Sequence, residues 1–399
     1  MGEEWHRASF RDCLTRVDRK VLVNDATEYE CVGVRWYGNG AFVRERRLGM
    51  DIARKQQWVV EEGDVIYNKL FAWKGAFAVA DRLVHGRIVS DKFPTYRPIE
   101  GVLDHDYLKW WFRGPDVARQ AEAMSKGAAA ISKLTLNPPQ FWDLTVPLPP
   151  LVEQRRIVAR VEALAAKVEE AQRLRRAAAA EVEAFANSRA RQILSFPNVG
   201  WVPIEAVAQV RGGIQKTPSR TAAGSPVRYL TVAHVQRDRV LVGDPRYFEV
   251  TADELDRWRL ESGDVLVIEG NGSADQIGRT ALFRGEIQDC VHQNHVIRIR
   301  TDRRLAEPEF INAFLNSPVG RDTIQAESRT TSGLRTLSVG RINRLSVPLP
   351  PLAEQRSRLV ELGALKEQIG SLQILQAETA TEIHALLPSL LDRAFKGEL

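Results

Sequence analysis

The sequence predicts an α+β protein: two pseudo-repeated α/β domains separated by two long helices that form an antiparallel coiled coil. Three observations predict it. A ten-residue Pro-rich block occurs twice, each copy leads into a long stretch with coiled-coil periodicity, and the segments ahead of the blocks mix short β-branched runs with turns.

The block Val146-Pro147-Leu148-Pro149-Pro150-Leu151-Val152-Glu153-Gln154-Arg155 returns as Val347-Pro348-Leu349-Pro350-Pro351-Leu352-Ala353-Glu354-Gln355-Arg356, with Val152 against Ala353 as its only mismatch. The register continues downstream, where Val161, Leu164, Val168, Leu174, Val182 and Phe185 correspond to Leu362, Leu365, Ile369, Leu375, Ile383 and Leu386. Upstream, Glu62-Gly63-Asp64-Val65-Ile66 answers Ser262-Gly263-Asp264-Val265-Leu266, and Tyr107-Leu108-Lys109-Trp110-Trp111-Phe112 answers Phe310-Ile311-Asn312-Ala313-Phe314-Leu315. The chain is thus globular, helix, globular, helix. The expected boundaries are 1–146, 147–196, 197–347 and 348–399.

After Pro150 the chain runs to about Leu194 without Gly or Pro, rich in Ala, Glu and Arg, with apolar residues at alternating three- and four-residue steps. At ~1.5 Å per residue, about 40 to 45 residues make a rod of roughly 60 to 65 Å. Its narrow apolar seam needs a partner, which the second stretch, from about Glu354 to Leu387, supplies; globular halves at opposite ends would make that pairing antiparallel. The prolines ahead of each helix stiffen its entrance. Pro388 is expected to break or kink the second helix and leave a short terminal piece. In the globular halves, Glu28 to Val34, Asp64 to Asn68, Val227 to Val235, Asp264 to Glu269 and His295 to Arg300 read as strands, and Tyr107 to Phe112 and Glu309 to Leu315 as helices.

With 399 residues, 44% of them hydrophobic and 27% charged, the chain can bury more than one core. A formal charge of +5 from 56 basic and 51 acidic residues is a mild tilt toward polyanions. Cys13, Cys31 and Cys290 are scattered, which argues against a disulfide framework or a zinc cluster and points to the reducing cytoplasm. No basic-then-apolar leader and no bilayer-length apolar run is present, so a membrane role is not expected.

The candidate catalytic motifs are incomplete. Asn137-Pro138-Pro139-Gln140 is reminiscent of the Asn-Pro-Pro-aromatic motif that holds a target adenine, but Gln140 stands where the aromatic belongs and no Gly-rich cofactor loop precedes it. Asn137 as N-cap with Pro138 at the first helical position explains it better. The pair His292 and His295 lacks a third metal ligand, Asp18-Arg19-Lys20 reads as solvated surface, and Gly270-Asn271-Gly272 as a tight turn. No nucleophile–base or Walker arrangement occurs. What remains is loop chemistry suited to double-stranded DNA, because Arg, Lys, Asn and Gln bond phosphates and pair with G or A edges. The candidates are Arg35, Asn39, Lys69, Lys74, Lys126 and Lys133 in the first half, and Arg211, Gln215, Lys216, Asn271, Gln276, His292, Gln293, Asn294, Arg329 and Arg335 in the second.

The doubled Pro-Leu-Pro-Pro-Leu-x-Glu-Gln-Arg with its long helix, the Gly-Asp-Val strand in each half, and the ending Leu387-Pro388-Ser389-Leu390-Leu391-Asp392-Arg393-Ala394-Phe395-Lys396-Gly397-Glu398-Leu399 together resemble the specificity subunits of type I restriction-modification systems over essentially the whole chain. The first long helix departs from that pattern by closing with Arg189-Ala190-Arg191-Gln192-Ile193-Leu194. The resemblance implies two target-recognition domains that each read half of a bipartite asymmetric DNA site, with the helices as a ruler. It implies two methyltransferase subunits using S-adenosylmethionine and two ATP-dependent, Mg-dependent motor-nuclease subunits as partners. It assigns no catalysis and no cofactor to this chain. The rival reading is a coiled-coil adaptor whose globular ends bind proteins without DNA specificity.

Overall fold

A computed structural model of the chain describes residues 5–125, 134–215, 225–244, 246–271, 276–331 and 334–399. Two compact units emerge, one made of residues 1–177 and 376–399, the other of 178–375. Each joins a globular half to segments of both long helices.

The first unit holds a four-stranded antiparallel sheet in the order Leu14–Val17, Thr95–Pro98, Val65–Tyr67, Phe77–Val79. A five-stranded sheet runs Lys20–Leu22, Gln56–Val59, Ile88–Val89, Glu28–Val34, Ala41–Leu48, and a short pair joins Arg7–Ser9 to Thr145–Pro147. The core is aromatic. Phe141 stacks on Tyr96 at 4.1 Å and on Tyr67 at 4.6 Å, with Phe10, Trp111 and Phe112 beside them.

The second unit repeats the framework. Its four-stranded antiparallel sheet runs Ala208–Arg211, Val296–Thr301, Val265–Ile268, Thr280–Leu282, and its short pair joins Trp201–Pro203 to Ser346–Pro348. The halves diverge beyond that. In place of the five-stranded sheet, the second unit has Tyr247–Val250, Ser225–Leu230 and Cys290–His292 in one sheet and Gly270–Asn271, Leu334–Thr336 and Arg329–Thr331 in another.

The repeated sequence blocks have repeated jobs. Asp64 and Asp264 are buried acids whose carboxylates are satisfied by arginines and a backbone N–H. Arg19 Nη1 donates to Asp64 Oδ2 at 2.6 Å, Arg97 lies 3.0 Å from its Oδ1, and the Glu61 N–H donates at 2.8 Å. Asp264 accepts two bonds from Arg300, at 2.7 and 2.8 Å, and the Glu261 N–H at 2.7 Å. Arg19 is therefore a structural anchor, contrary to its expected place on the solvated surface. Its partner lies 45 residues away, beyond the reach of local pattern.

The Gln of each Glu-Gln-Arg is fully buried. Gln154 Oε1 accepts the Asp104 N–H at 2.8 Å while its Nε2 donates to the Val102 and Pro149 carbonyls, both at 2.9 Å. Gln355 does the same with the Glu307 N–H at 2.9 Å and the Leu305 and Pro350 carbonyls at 3.0 and 2.8 Å. Asp104 and Glu307 are the N-caps of the short helices His105–Phe112 and Pro308–Asn316. The following Arg reaches the same caps, Arg155 to Asp104 at 3.6 Å and Arg356 to Glu307 at 2.6 Å. The motif is thus a latch that fixes a globular half to the start of a long helix.

The first long helix spans Leu151–Ile193 and the second Leu352–Phe395. Within the first unit, Arg156 donates to the Leu399 carbonyl and Arg175 to the Gln376 carbonyl, so the two segments run antiparallel. Ile157, Val161 and Ala165 pack there with Leu391 and Ala394. Within the second unit, Ile193 and Leu194 share a core with Leu362. Pro388, where a break or kink is expected, does not break the second helix into a separate terminal piece but lies inside it. A proline removes one N–H donor, and here Leu387, Leu391, Ala394 and Phe395 are held by the apolar core on both sides of the defect. The expected strand Val227 to Val235 is also shorter. It stops at Leu230, where His234 Nδ1 accepts the Thr231 N–H at 2.9 Å and curls the chain into a single 3-10 turn.

Candidate nucleic-acid interface

In the first unit the candidates Arg35, Asn39, Lys69 and Lys74 fall on two loops stitched by backbone bonds: the Tyr37 N–H donates to the Lys74 carbonyl at 2.9 Å and the Gly38 N–H to the Gly75 carbonyl at 2.8 Å. Trp36 to Asn39 form a hairpin turn in which Tyr37 and Gly38 both have positive φ, 57° and 63°. Gly38 is required twice over, because a Cβ would also strike the Phe112 carbonyl. Tyr37 has no such freedom, and its left-handed backbone costs about 1 kcal/mol or more. The strain holds an aromatic ring in solvent, 64% exposed. Trp36, 41% exposed, leans on Phe71 at 5.7 Å, and Lys74 Nζ sits 3.8 Å from its ring centroid. Cations braced on exposed aromatic rings suit a nucleic-acid surface, where rings meet bases and cations meet phosphates.

Beside this turn lies a cavity of about 590 Å³ whose lining includes Arg35, Asn39, Asp81, Arg87, Lys109 and Arg113. Arg35 is braced 4.5 Å over Phe42 and donates to the Ala41 carbonyl, and Arg113 is braced 4.5 Å over Trp110. Burial lowers the Arg113 pKa below the usual guanidinium value. Lys109 and Arg113 were not among the sequence candidates because they belong to a helix and its cap rather than a loop. The signal that finds them is their alignment with the neutral Asn312 and Asn316 of the other half.

In the second unit, 211–215 runs against 292–294. The Ile214 N–H donates to the His292 carbonyl at 2.8 Å and the Asn294 N–H to the Ile214 carbonyl at 3.0 Å, while a Cβ on Gly213 would collide with the His292 and Gln293 carbonyls. Arg211 donates to the Arg257 carbonyl, Gln215 is exposed, and Gln293 and Asn294 are half-buried. The Glu269 N–H donates to the His295 carbonyl and the Leu337 N–H to the Glu269 carbonyl, which ties in the small sheet where Asn271 pairs with Arg335 and Arg329 with Thr336. Gln276 is exposed and accepts from Arg279. Gly270–Asn271 is strand rather than the expected tight turn. Lys126, Lys133 and Lys216 lie outside the described residues.

His292 departs from its expected role. Its ring is wholly buried, Nδ1 is 2.6 Å from the Val296 carbonyl, and burial lowers its pKa to about 4, so it is a neutral core side chain rather than an exposed contact.

Asn137, at the N-cap position, and Pro138 open a four-residue helix without a side-chain cap. Phe141, the aromatic one place later than the adenine motif requires, is consumed by its stacking on Tyr67 and Tyr96. Among the described residues, the one cluster of acids and histidine close enough to share a cation is Asp104, His105 and Asp106. Asp104 Oδ1 already accepts the Asp106 and Tyr107 N–H groups, and its carboxylate faces Arg155, so the group is explained as a helix cap. Among the described residues no helix is long and apolar enough to cross a membrane.

Comparison with known proteins finds relatives by sequence and by fold. The chain is 27% identical over 281 residues to the type I restriction enzyme EcoKI specificity subunit of Escherichia coli K12, covering 66% of this chain and 60% of that relative. It is 25% identical over 345 residues to the StySPI specificity subunit of Salmonella potsdam, covering 82% and 73%. Among solved structures, a chain from work on complex assembly and conformational transition of the type I R-M system matches with a TM-score of 0.75 at 22% identity, covering 99% and 98%. The HsdS subunit of Thermoanaerobacter tengcongensis matches with a TM-score of 0.58 at 22% identity, covering 99% and 97%. At that identity the structures establish the shared fold. No family model matches the chain.

Proposed function

We propose that this chain, whose curated homologues are type I restriction enzyme specificity subunits, binds DNA sequence-specifically at a bipartite asymmetric site and lends that specificity to methyltransferase and nuclease partners. One observation carries the reading. Two copies of one framework, each latched to a long helix by a buried Gln, present different polar and aromatic loops. A shared scaffold with unlike loops suits two modules that read unlike half-sites, and joining them raises the effective concentration of each for its half. The domains proposed for this are 1–146 and 197–347, with 147–196 and 348–399 as the helical spacers.

The candidate contacts are the exposed or half-buried Arg35, Asn39, Lys69, Lys74, Gln215, Gln276, Gln293 and Asn294, together with Arg211, Asn271, Arg329 and Arg335 on the strands beside them. The chain's role is non-catalytic recognition. Two methyltransferase subunits supply methyl transfer from S-adenosylmethionine, and two motor-nuclease subunits supply ATP- and Mg-dependent cleavage. Exposed apolar side chains on the long helices, Val152, Leu174, Phe185, Val360, Ile374 and Leu386, suit docking of the methyltransferase partners.

A protein-binding adaptor has no reason to respond to salt through DNA. A DNA reader loses affinity linearly in log salt as it releases counterions. Fluorescence anisotropy with duplex DNA over a salt series separates the two: a steep negative slope supports DNA binding, and no measurable duplex affinity at low salt defeats it.

A further inference from the structure

The cavity beside the Trp36–Asn39 turn has a charge arrangement that the DNA-reading proposal does not by itself require. Arg35, Arg87, Lys109 and Arg113 converge on it, against one acid, Asp81. That acid accepts the Leu83 N–H at 3.0 Å, and Arg87 is neutralised by Glu30 at 2.6 Å. Arg35, Lys109 and Arg113 have no carboxylate within ion-pair distance among the described residues. Like charges gathered on one cavity repel, and partial burial makes the Arg113 charge costlier still.

The second unit shows that the framework does not demand this. Lys109 and Arg113 align with Asn312 and Asn316 when the two halves are matched through Tyr107 and Phe310 and through the Gln-latched caps of their helices. There the positions are closed on themselves. Asn312 Nδ2 donates to Asp238 at 2.6 Å, Asn312 Oδ1 accepts from Thr280 Oγ1 at 2.9 Å, and Asn316 Nδ2 donates to the Thr280 carbonyl at 2.9 Å. One half satisfies these sites internally with neutral amides; the other replaces them with cations that form no ion pair, Glu169 acting on Arg113 only from beyond contact distance.

We infer that the cavity of the first unit is a phosphate-binding site, with Arg35, Lys109 and Arg113 as its ligands, and that the second unit has no counterpart at the aligned positions. Two braced guanidiniums offer forked donors to phosphate oxygens, and Lys109 adds a mobile point charge. The phosphate comes either from the DNA backbone, which deepens the DNA-reading proposal and rests on it, or from a free phosphate compound.

The test uses the full chain, a Lys109→Asn/Arg113→Asn variant that copies the second unit, an Arg35→Gln variant, and a Lys20→Asn control. Duplex DNA binding is followed by anisotropy over a salt series, and inorganic pyrophosphate binding by calorimetry. For backbone phosphate, both cavity variants make the salt slope less negative by about 0.9 for each phosphate they no longer neutralise, while the control matches wild type. For a free phosphate source, the duplex slopes are unchanged and pyrophosphate binding weakens about tenfold or more in the cavity variants. Wild-type behaviour of both cavity variants with both probes overturns the site. If the wild-type chain does not bind duplex at all, the DNA reading fails by itself, and pyrophosphate alone decides the cavity: binding abolished in the variants supports it, and no wild-type binding overturns it.

Discussion

Asp64 is fully buried, and Arg19, Arg97 and the Glu61 N–H satisfy its carboxylate. An Asp64→Ala chain strands those partners and is expected to lose about 3 kcal/mol of stability, read as a lower urea midpoint for the first unit; an unchanged midpoint contradicts the anchoring role. His292 offers a test by pH. Its folded pKa of about 4 lies below the unfolded value of 6.5, so the unfolded chain takes up a proton that the folded chain refuses as pH falls through that window. Its contribution is complete above the unfolded pKa and is lost as pH falls toward the folded one. Between pH 7 and 5 the wild type is expected to lose about 2 kcal/mol more than a His292→Gln chain; equal pH dependence in both would show that the imidazole is not held neutral. Arg19 and His292 also mark where sequence reading stops. Arg19 meets its partner through a long-range fold, and His292 belongs to a polar-looking His-Gln-Asn-His run whose first member the strand Cys290–His292 turns inward.

At the scale of elements, both latched helices and both long helices were legible, because periodicity and a doubled motif are local signals. The strand Glu28–Val34 matches its expected span, while Val65–Tyr67 and Val265–Ile268 are each trimmed at both ends relative to expectation. The role of the Gln in each motif was not legible, since its three partners come from separate parts of the chain. Gln154→Ala leaves one N–H and two carbonyls unpaired in a buried place and is expected to cost about 2 to 4 kcal/mol, with faster hydrogen exchange at the start of the helix His105–Phe112. Wild-type exchange there would contradict the latch. Of the break or kink expected at Pro388, the break does not form, because a helix breaker in isolation is not one when both flanks are packed. Pro388→Ala is expected to stabilise the second long helix by about 1 to 3 kcal/mol, seen as later loss of helical circular dichroism on heating; an earlier loss would mean that the proline shape itself is needed.

For the whole molecule, the globular-helix-globular-helix order is read from the repeat and the α+β class from the mixed strand and helix patterns between its copies, whereas the grouping of the candidate contact residues is not. Loop positions were marked by composition, but Lys109 and Arg113 were hidden on a helix and its cap until the two halves were set against each other. The molecular logic is one framework used twice with divergent loops, and it makes a modular claim: each half should determine its own half of the recognised site. Methylome sequencing of a host that expresses this chain with its methyltransferase partner tests that claim most directly, using the native chain beside one whose first half is exchanged for that of a relative. Methyladenine is expected in a gapped two-part motif that disappears without this chain, and the exchange is expected to alter one part while leaving the other. Retention of both parts after the exchange, or no chain-dependent motif although both proteins are made and associate, would contradict it.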